Sequence, residues 1–360
     1  MSKITYGLIG GGLMGLEHIR YLKKMENAEI NVIVEPNESQ RKSCKAELPN
    51  VEFESFDRFL NRDDIDAVIV ATPNHTHTQI LKNLFGSGVN NILLEKPAVI
   101  KPKDVFEIKK LAENWGGKIW VGMEYRYMAP IAELLEECRK GTVGNYFMMT
   151  IREHRNPFLK KVGDWNRFSK NTGGTLVEKC CHFFDLMRLI IKSEPEKIYA
   201  SGKQDVNHLN EDYNGKKPDI IDNAYVIVDF KNGVRSLLDL CMFAENSKYQ
   251  EELCAVGNLG KIETEVPASR SGLASSELRI GLREKNKMET EVVEVDKKIL
   301  EAGHHHGSTY YEHLAFLNSI KNNTKAEVSL NDGLMAVAIG EAAELSIKEN
   351  RVVFMNEFKL

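Results

Sequence analysis

Ile4-Thr5-Tyr6-Gly7-Leu8-Ile9-Gly10-Gly11-Gly12-Leu13-Met14-Gly15 decides the fold. Its first six residues read as a buried strand, and the rest form G-x-G-x-x-G with glycines at 10, 12 and 15. A helix-compatible run follows from Glu17 to Lys24. Next comes a β-branched strand, Ile30-Asn31-Val32-Ile33-Val34, which ends on Glu35. Strand, glycine turn, helix, strand and terminal acid in this order specify a dinucleotide-binding unit. Gly10 permits the tight turn, Gly12 lets backbone approach a pyrophosphate, and Gly15 lets the helix sit close to the strand. The helix start at Leu13 and Met14 offers unpaired N–H groups and a partial positive charge to phosphates. Glu35 is placed to accept hydrogen bonds from the ribose hydroxyls of the adenosine half.

Outward from this unit, strand and helix patterns alternate. Arg41 is within reach of an adenine or its ribose, or is a solvated helix residue. Ala67-Val68-Ile69-Val70-Ala71 is an apolar run of the kind a parallel sheet buries on both faces. It leads into Thr72-Pro73-Asn74-His75-Thr76-His77 and a helix with Ile80, Leu81, Leu84 and Phe85 on one face. Ile92-Leu93-Leu94 delivers Glu95-Lys96-Pro97. A helix with Val105, Ile108 and Leu111 follows, then the strand Lys118–Gly122. The pattern predicts an α/β Rossmann domain over residues 1–124, with a doubly wound parallel sheet. Ligands of such sheets sit outside the carboxyl ends of the strands, where all three polar stretches lie. Residues 125–360 read as an α+β domain with a large, mostly antiparallel, open-faced sheet. Asn232-Gly233 between two alternating runs is its clearest hairpin. Helices cover one face, and a second subunit is the expected cover for the other, giving a homodimer or homotetramer. The last helix can pack back on the first domain. Gln204–Lys217 reads as a surface insertion, with a lid as the alternative.

Bulk properties narrow the function classes. The 360 residues are 42% hydrophobic, and 48 basic residues nearly balance 52 acidic ones. The basic residues are scattered, which argues against a nucleic-acid footprint. Apolar runs are strand-sized, so no membrane span is expected. No signal-peptide layout precedes Ile4, and six cysteines lack framework spacing, so the expected location is cytoplasmic.

Two places carry candidate chemistry. Lys96, between Glu95 and Pro97 at a strand's carboxyl end, faces the cleft, and its ammonium can stabilise negative charge on a substrate oxygen. In Gly173-Gly174-Thr175-Leu176-Val177-Glu178-Lys179-Cys180-Cys181-His182-Phe183-Phe184-Asp185, Glu178 and His182 are four apart. One helix is expected across roughly Thr175 to Ile191, and on it they share a face. The carboxylate would orient the imidazole and favour its protonated form, making a general base, with a surface ion pair as the alternative. Cys180 and Cys181 are expected to pack in the core. They lack the spacing of a metal site, and His304-His305-His306 lacks set geometry, so no metal is expected. One of those histidines is a candidate substrate contact. Asp185 is expected to be structural.

With these residues in place, the chain resembles the Gfo/Idh/MocA oxidoreductases. The likeness spans nearly the whole length and rests on G-x-G-x-x-G, Ala71–His77, Glu95-Lys96-Pro97 and the Gly173 to Asp185 segment. It implies Lys96 and His182 as the catalytic pair, with Thr72, Pro73, Asn74, His75 and Glu95 lining the cofactor site. The family often has Asp where this chain has Glu178, and Gly where it has Cys180. His154-Arg155-Asn156 is similar to a stretch of inositol dehydrogenases and implies His154 and Asn156 as hydroxyl-binding residues. The expected activity is oxidation of a secondary hydroxyl on a sugar or cyclitol, with NAD rather than NADP because Glu35 would repel a 2′-phosphate. The alternatives are NAD-assisted glycoside cleavage or sugar epimerisation within the family, and a non-catalytic NAD(P)-sensing regulator.

Overall fold

The run Ile4–Ile9 forms the first strand, β1, and it is buried because it lies inside a six-stranded parallel sheet. The computed structural model describes residues 3–273, 275–303 and 305–358. Beside β1 the sheet contains β2 (Ala28–Val34), β3 (Glu52–Phe53), β4 (Ala67–Val70), β5 (Asn91–Glu95) and β6 (Lys118–Gly122). Their spatial order is β3-β2-β1-β4-β5-β6. The order reverses between β1 and β4, the switch point at which doubly wound sheets bind ligands. The glycine turn, Thr72–His77 and Glu95–Pro97 all follow carboxyl ends of strands, as the sequence predicts. β3 is two residues long and carries no periodic signal.

The second sheet has nine strands: β7 (Tyr146–His154), β8 (Pro195–Lys203), β9 (Asn223–Phe230), β10 (Arg235–Cys241), β11 (Tyr249–Gly257), β12 (Gly260–Pro267), β13 (Ser276–Leu282), β14 (Lys287–Val293) and β15 (Val353–Phe354). Their order is β14-β13-β12-β11-β7-β10-β9-β8-β15, and the β7–β10 pair is parallel while the others are antiparallel. Alternation sorts the side chains. Ile151, Val226, Val228, Leu238 and Leu253 are buried on the face that carries the helices. Met148, Tyr199, Tyr225 and Ile227 stand exposed on the other.

The helix Leu330–Glu349 joins the two halves. Its Gly333 packs on Val121 and Ala98, and its Gly340 lies so close to the Leu176 carbonyl that a Cβ would sit 2.7 Å away. Gln204–Lys217 is fastened to the domain. The Asp222 carboxylate accepts the Asp205, Val206 and Asn207 amides at 3.0, 2.8 and 2.6 Å. Glu211 accepts from Arg167 and Tyr213. The single helix expected over Thr175–Ile191 is two, Thr175–Glu178 and Cys181–Ile191, with a break at Lys179-Cys180.

Candidate active site

The glycine turn has the shape a dinucleotide needs. Gly10 has φ +99°, and a Cβ there would lie 2.4 Å from the Ala71 carbonyl oxygen. A Cβ on Gly15 would lie 2.1 Å from the Gly10 carbonyl, whereas one on Gly12 would meet nothing within 4 Å. Gly10 and Gly15 are therefore hemmed in by protein, and Gly12 faces open space where a pyrophosphate would approach. No side chain caps the helix Leu13–Leu22, and its first turn contains no acid, so its N–H groups remain for an anion. Glu35 sits against the turn, accepting Gly11 N–H at 2.7 Å and Asn37 N–H at 2.7 Å. Arg41 donates to the Glu35 carbonyl, with its guanidinium 5.9 Å from the Phe53 ring. The Asn74 amide nitrogen is buried without a partner. These residues fit a dinucleotide.

The Thr72–His77 stretch is tied down by its own side chains. Thr72 and Thr76 hydroxyls meet at 2.7 Å, and His77 bridges the Thr72 carbonyl at 3.1 Å and the Pro97 carbonyl at 2.9 Å. His77 thus couples the ends of β4 and β5, and His75 stands edge-on to Trp165. Glu95 is buried and accepts from Lys96 N–H at 3.2 Å. Its other oxygen lies 2.9 Å from His18 Nε2, and His18 Nδ1 meets His313 Nε2 at 2.8 Å. That chain pins the cofactor-binding helix to β5 and to the helix Ser308–Lys321.

Lys96, at the end of β5, lies close enough to His182, at the start of the helix Cys181–Ile191, for its charge to act on the imidazole. Lys96 Nζ donates to the Glu178 carbonyl at 3.2 Å. Burial opposes its charge, but Cys181, Glu124, Glu178 and Glu95 hold its pKa above the usual lysine value. It is a fixed cation. The His182 imidazole is 1% exposed and lies parallel to the Tyr125 ring, 4.3 Å away at 9°. Burial, then the Lys96, Lys179, His305 and Arg155 charges, push it well below the usual histidine range. It is therefore neutral and able to accept a proton, the opposite of the charged form expected from a Glu178 partner.

No hydrogen bond joins Glu178 to His182. The helix breaks between them, and the four-residue spacing loses its meaning. Instead Glu178 Oε1 lies 3.3 Å from Lys161 Nζ, and the carboxylate nearest to His182 is Glu124, whose Oε1 is 3.6 Å from Nε2. Glu178 Oε2, Glu124 Oε2 and His182 Nδ1 are buried without partners around Lys96. His154 is also placed differently from expectation. Strand parity puts it on the open face of β7, with Nε2 3.2 Å from Asp239, while Glu153 and Arg155 occupy the inner face. Asn156 donates to the Pro157 carbonyl, and no hydrogen bond brings it to Lys96 or His182. Asp185 is held by Arg126, a structural pair. Cys180 and Cys181 are buried and unpaired. His304 lies outside the described residues.

Sequence reasoning missed a buried network behind His182. Lys179 Nζ lies 2.8 Å from Glu153 Oε1 and donates to the Tyr125 hydroxyl, which donates to Glu251 at 3.0 Å. Glu153 and Glu251 face each other across β7 and β11, so both carboxylates converge on the lysine. The inward parity of Glu153, between the buried Ile151 and the strand end, was a usable signal. A cleft of about 780 Å³ opens beside Asn91 and Lys118, at the amino ends of β5 and β6, on the far side of the sheet from this chemistry. Among the described residues, no cluster of His, Cys, Asp or Glu could hold a metal, and no helix is long and apolar enough to cross a membrane.

Residues 4–123 match the family model described as "Oxidoreductase family, NAD-binding Rossmann fold", and residues 136–355 match its "C-terminal alpha/beta domain". The chain is 25% identical to the myo-inositol 2-dehydrogenase of Thermotoga maritima over 98% of both chains. Its fold is similar to that of an oxidoreductase from Agrobacterium radiobacter solved with NAD+, L-tartaric acid and magnesium (TM-score 0.82, 16% identity, 99% of each chain). It is also similar to levoglucosan dehydrogenase solved with NADH and levoglucosan (TM-score 0.83, 18% identity, 98% of this chain and 100% of that one). A glycine turn shaped for a dinucleotide and a lysine and histidine at the domain junction, carried on a chain matched by both domain models, make this protein an NAD-binding enzyme of the Gfo/Idh/MocA oxidoreductase family.

Proposed function

We propose that the protein oxidises a secondary hydroxyl on a sugar or cyclitol to a ketone with NAD. The observation that carries this is the group of buried, unpartnered polar atoms around Lys96: Glu178 Oε2, Glu124 Oε2 and His182 Nδ1. Buried polar groups are ordinarily satisfied, so a ligand rich in hydroxyls suits them. A nicotinamide cofactor held by the glycine turn, Glu35 and the Thr72–His77 stretch would supply the acceptor for the carbinol hydride. Lys96 holds the substrate oxygen and stabilises its growing negative charge. His182, neutral and buried, takes the hydroxyl proton. Glu178, tethered by Lys161, accepts a neighbouring hydroxyl rather than orienting the imidazole. NAD is preferred to NADP because the Glu35 carboxylate, tied to the glycine turn, would repel a 2′-phosphate.

The test is NADH formation across a panel of inositols and sugars, with NAD and NADP in parallel. Lys96→Ala and His182→Ala should each cut kcat by at least ~100-fold and leave NAD affinity nearly intact. Wild-type rates in both variants would refute the mechanism. The exposed row of Met148, Tyr199, Tyr225 and Ile227 supports a second copy of the chain as the cover of the open sheet.

A further inference from the structure

A general base must keep its lone pair aimed at the hydroxyl proton, so something has to fix the plane of its ring. Among the described residues, no hydrogen bond does this for His182. Its Nδ1 is buried without a partner, and Glu124 Oε1 stands 3.6 Å from Nε2, beyond hydrogen-bond length. What does lie against the imidazole is the Tyr125 ring, inclined by only 9° with 4.3 Å between centroids. Tyr125 is gripped in turn by the segment that carries the histidine. Lys179 Nζ donates to its hydroxyl, Phe183 meets its ring edge-on at 5.7 Å, and His182 covers a face.

The hydroxyl end is fixed by the second sheet. Glu153 and Glu251 are buried and paired directly across β7 and β11, and like charges so placed are unfavourable unless donors and a cation hold them. Lys179 meets Glu153 at 2.8 Å, and the Tyr125 hydroxyl donates to Glu251 at 3.0 Å. Arg155 donates to Glu153 at 3.4 Å and Gln250 to Glu251 at 2.6 Å. The hydroxyl thus accepts one hydrogen bond and donates another, and swinging it away breaks both inside a buried network. Arg126, the next residue, is clamped by both oxygens of Asp185, which fixes the turn as well.

We infer that Tyr125 is the positioning residue of His182: its ring, anchored through the hydroxyl to Lys179 and Glu251, sets the plane of the imidazole in place of an orienting carboxylate. This rests on the proposed role of His182 as the base. Tyr125 transfers no proton itself. Burial, then the Glu251 and Glu153 charges, push its hydroxyl well above the usual tyrosine range, so it stays a neutral donor.

Rates of NADH formation with the fastest polyol of the inositol and sugar panel test this. Tyr125→Leu removes the ring and should lower kcat by ~10-fold or more, with the polyol KM and NAD affinity nearly unchanged. Tyr125→Phe keeps the ring and loses the anchor, so its loss should be smaller but measurable. In the His182→Ala background neither change should slow the residual rate further, because Tyr125 acts only through the imidazole. Either tyrosine variant at the wild-type kcat, or an equal further loss without His182, overturns the positioning role and leaves the base standing. A second measurement needs no substrate and no Tyr125→Leu protein. By 13C relaxation of labelled histidine in the cofactor-free chain, the His182 ring should be as ordered as that of His18, which is bonded through both nitrogens, and looser in Tyr125→Phe. Equal order in the two proteins overturns the inference. If no polyol reduces NAD, or His182→Ala keeps the wild-type rate, the oxidation or the base falls instead, and the ring order alone decides whether Tyr125 holds the imidazole.

Discussion

Gly12 and Gly15 should fail in different ways when changed to alanine. Gly12 has φ −71° and ψ −162°, which an alanine adopts, and its Cβ would meet nothing within 4 Å. Gly12→Ala should therefore cost only the cap preference, under about 1 kcal/mol. The Gly15 Cβ would lie 2.1 Å from the Gly10 carbonyl oxygen. An ordinary carbon–oxygen contact is about 3.3 Å, so the helix must retreat by roughly an ångström. Overpacking of that kind costs ~1–3 kcal/mol, or a fall in Tm of ~2–12 °C at 2–4 °C per kcal/mol. Calorimetry on NAD reads the other half. Gly12→Ala fills the space the pyrophosphate needs and should weaken binding by at least ~100-fold, about 2.7 kcal/mol, in a protein that melts close to wild type. Gly15→Ala should lose both stability and affinity, because the same helix carries Glu17 and His18. A Gly12→Ala protein that binds NAD as tightly as the wild type would refute the placement of the phosphates.

Three further outcomes follow from the same coordinates. His313 is buried, and burial followed by the neighbouring His18 lowers its pKa. A depressed imidazole contributes stability that is whole above the unfolded value, about 6.5, and that drains as pH falls toward the folded one. Melting curves of His313→Gln between neutral and mildly acid pH should accordingly slope less than those of the wild type, and equal slopes would sink the assignment. Glu35→Ser should raise kcat/KM with NADP relative to NAD by ~10-fold or more, and an unchanged ratio would mean that the acid does not select the cofactor. Ile227→Glu on the open sheet should turn a multimer into monomers in light scattering. A wild-type chain that is already monomeric would remove the partner from that face.

Much of this protein was legible before folding because the relevant signals are local. Ile4–Gly15 is a strand running into a glycine turn, and nothing remote is needed to read it. The end of β5 likewise announced Lys96. Where reading failed, a local rule was stretched across an event it cannot register. Thr175–Ile191 contains no glycine or proline, so its periodicity read as one helix. The chain breaks at Lys179-Cys180, where Lys179 turns toward Glu153 and Tyr125 while Glu344 accepts the Leu176 amide. At His154, likeness to a short motif outweighed strand alternation, which already placed Glu153 and Arg155 on the opposite face.

The amino-acid order by itself determined the two-domain plan, the dinucleotide turn, and the identity of the lysine and histidine to which the chemistry is proposed to belong. Each depends on side-chain direction within a single element, which backbone geometry sets. Docking of separate elements decided the rest. The end of β6 supplies Glu124 and Tyr125 to His182, Lys161 holds Glu178, and His305 reaches the site from a loop nearly two hundred positions beyond Glu124. Those neighbours are chosen by how the helices and the two sheets pack on one another, and packing between elements leaves no period in the chain.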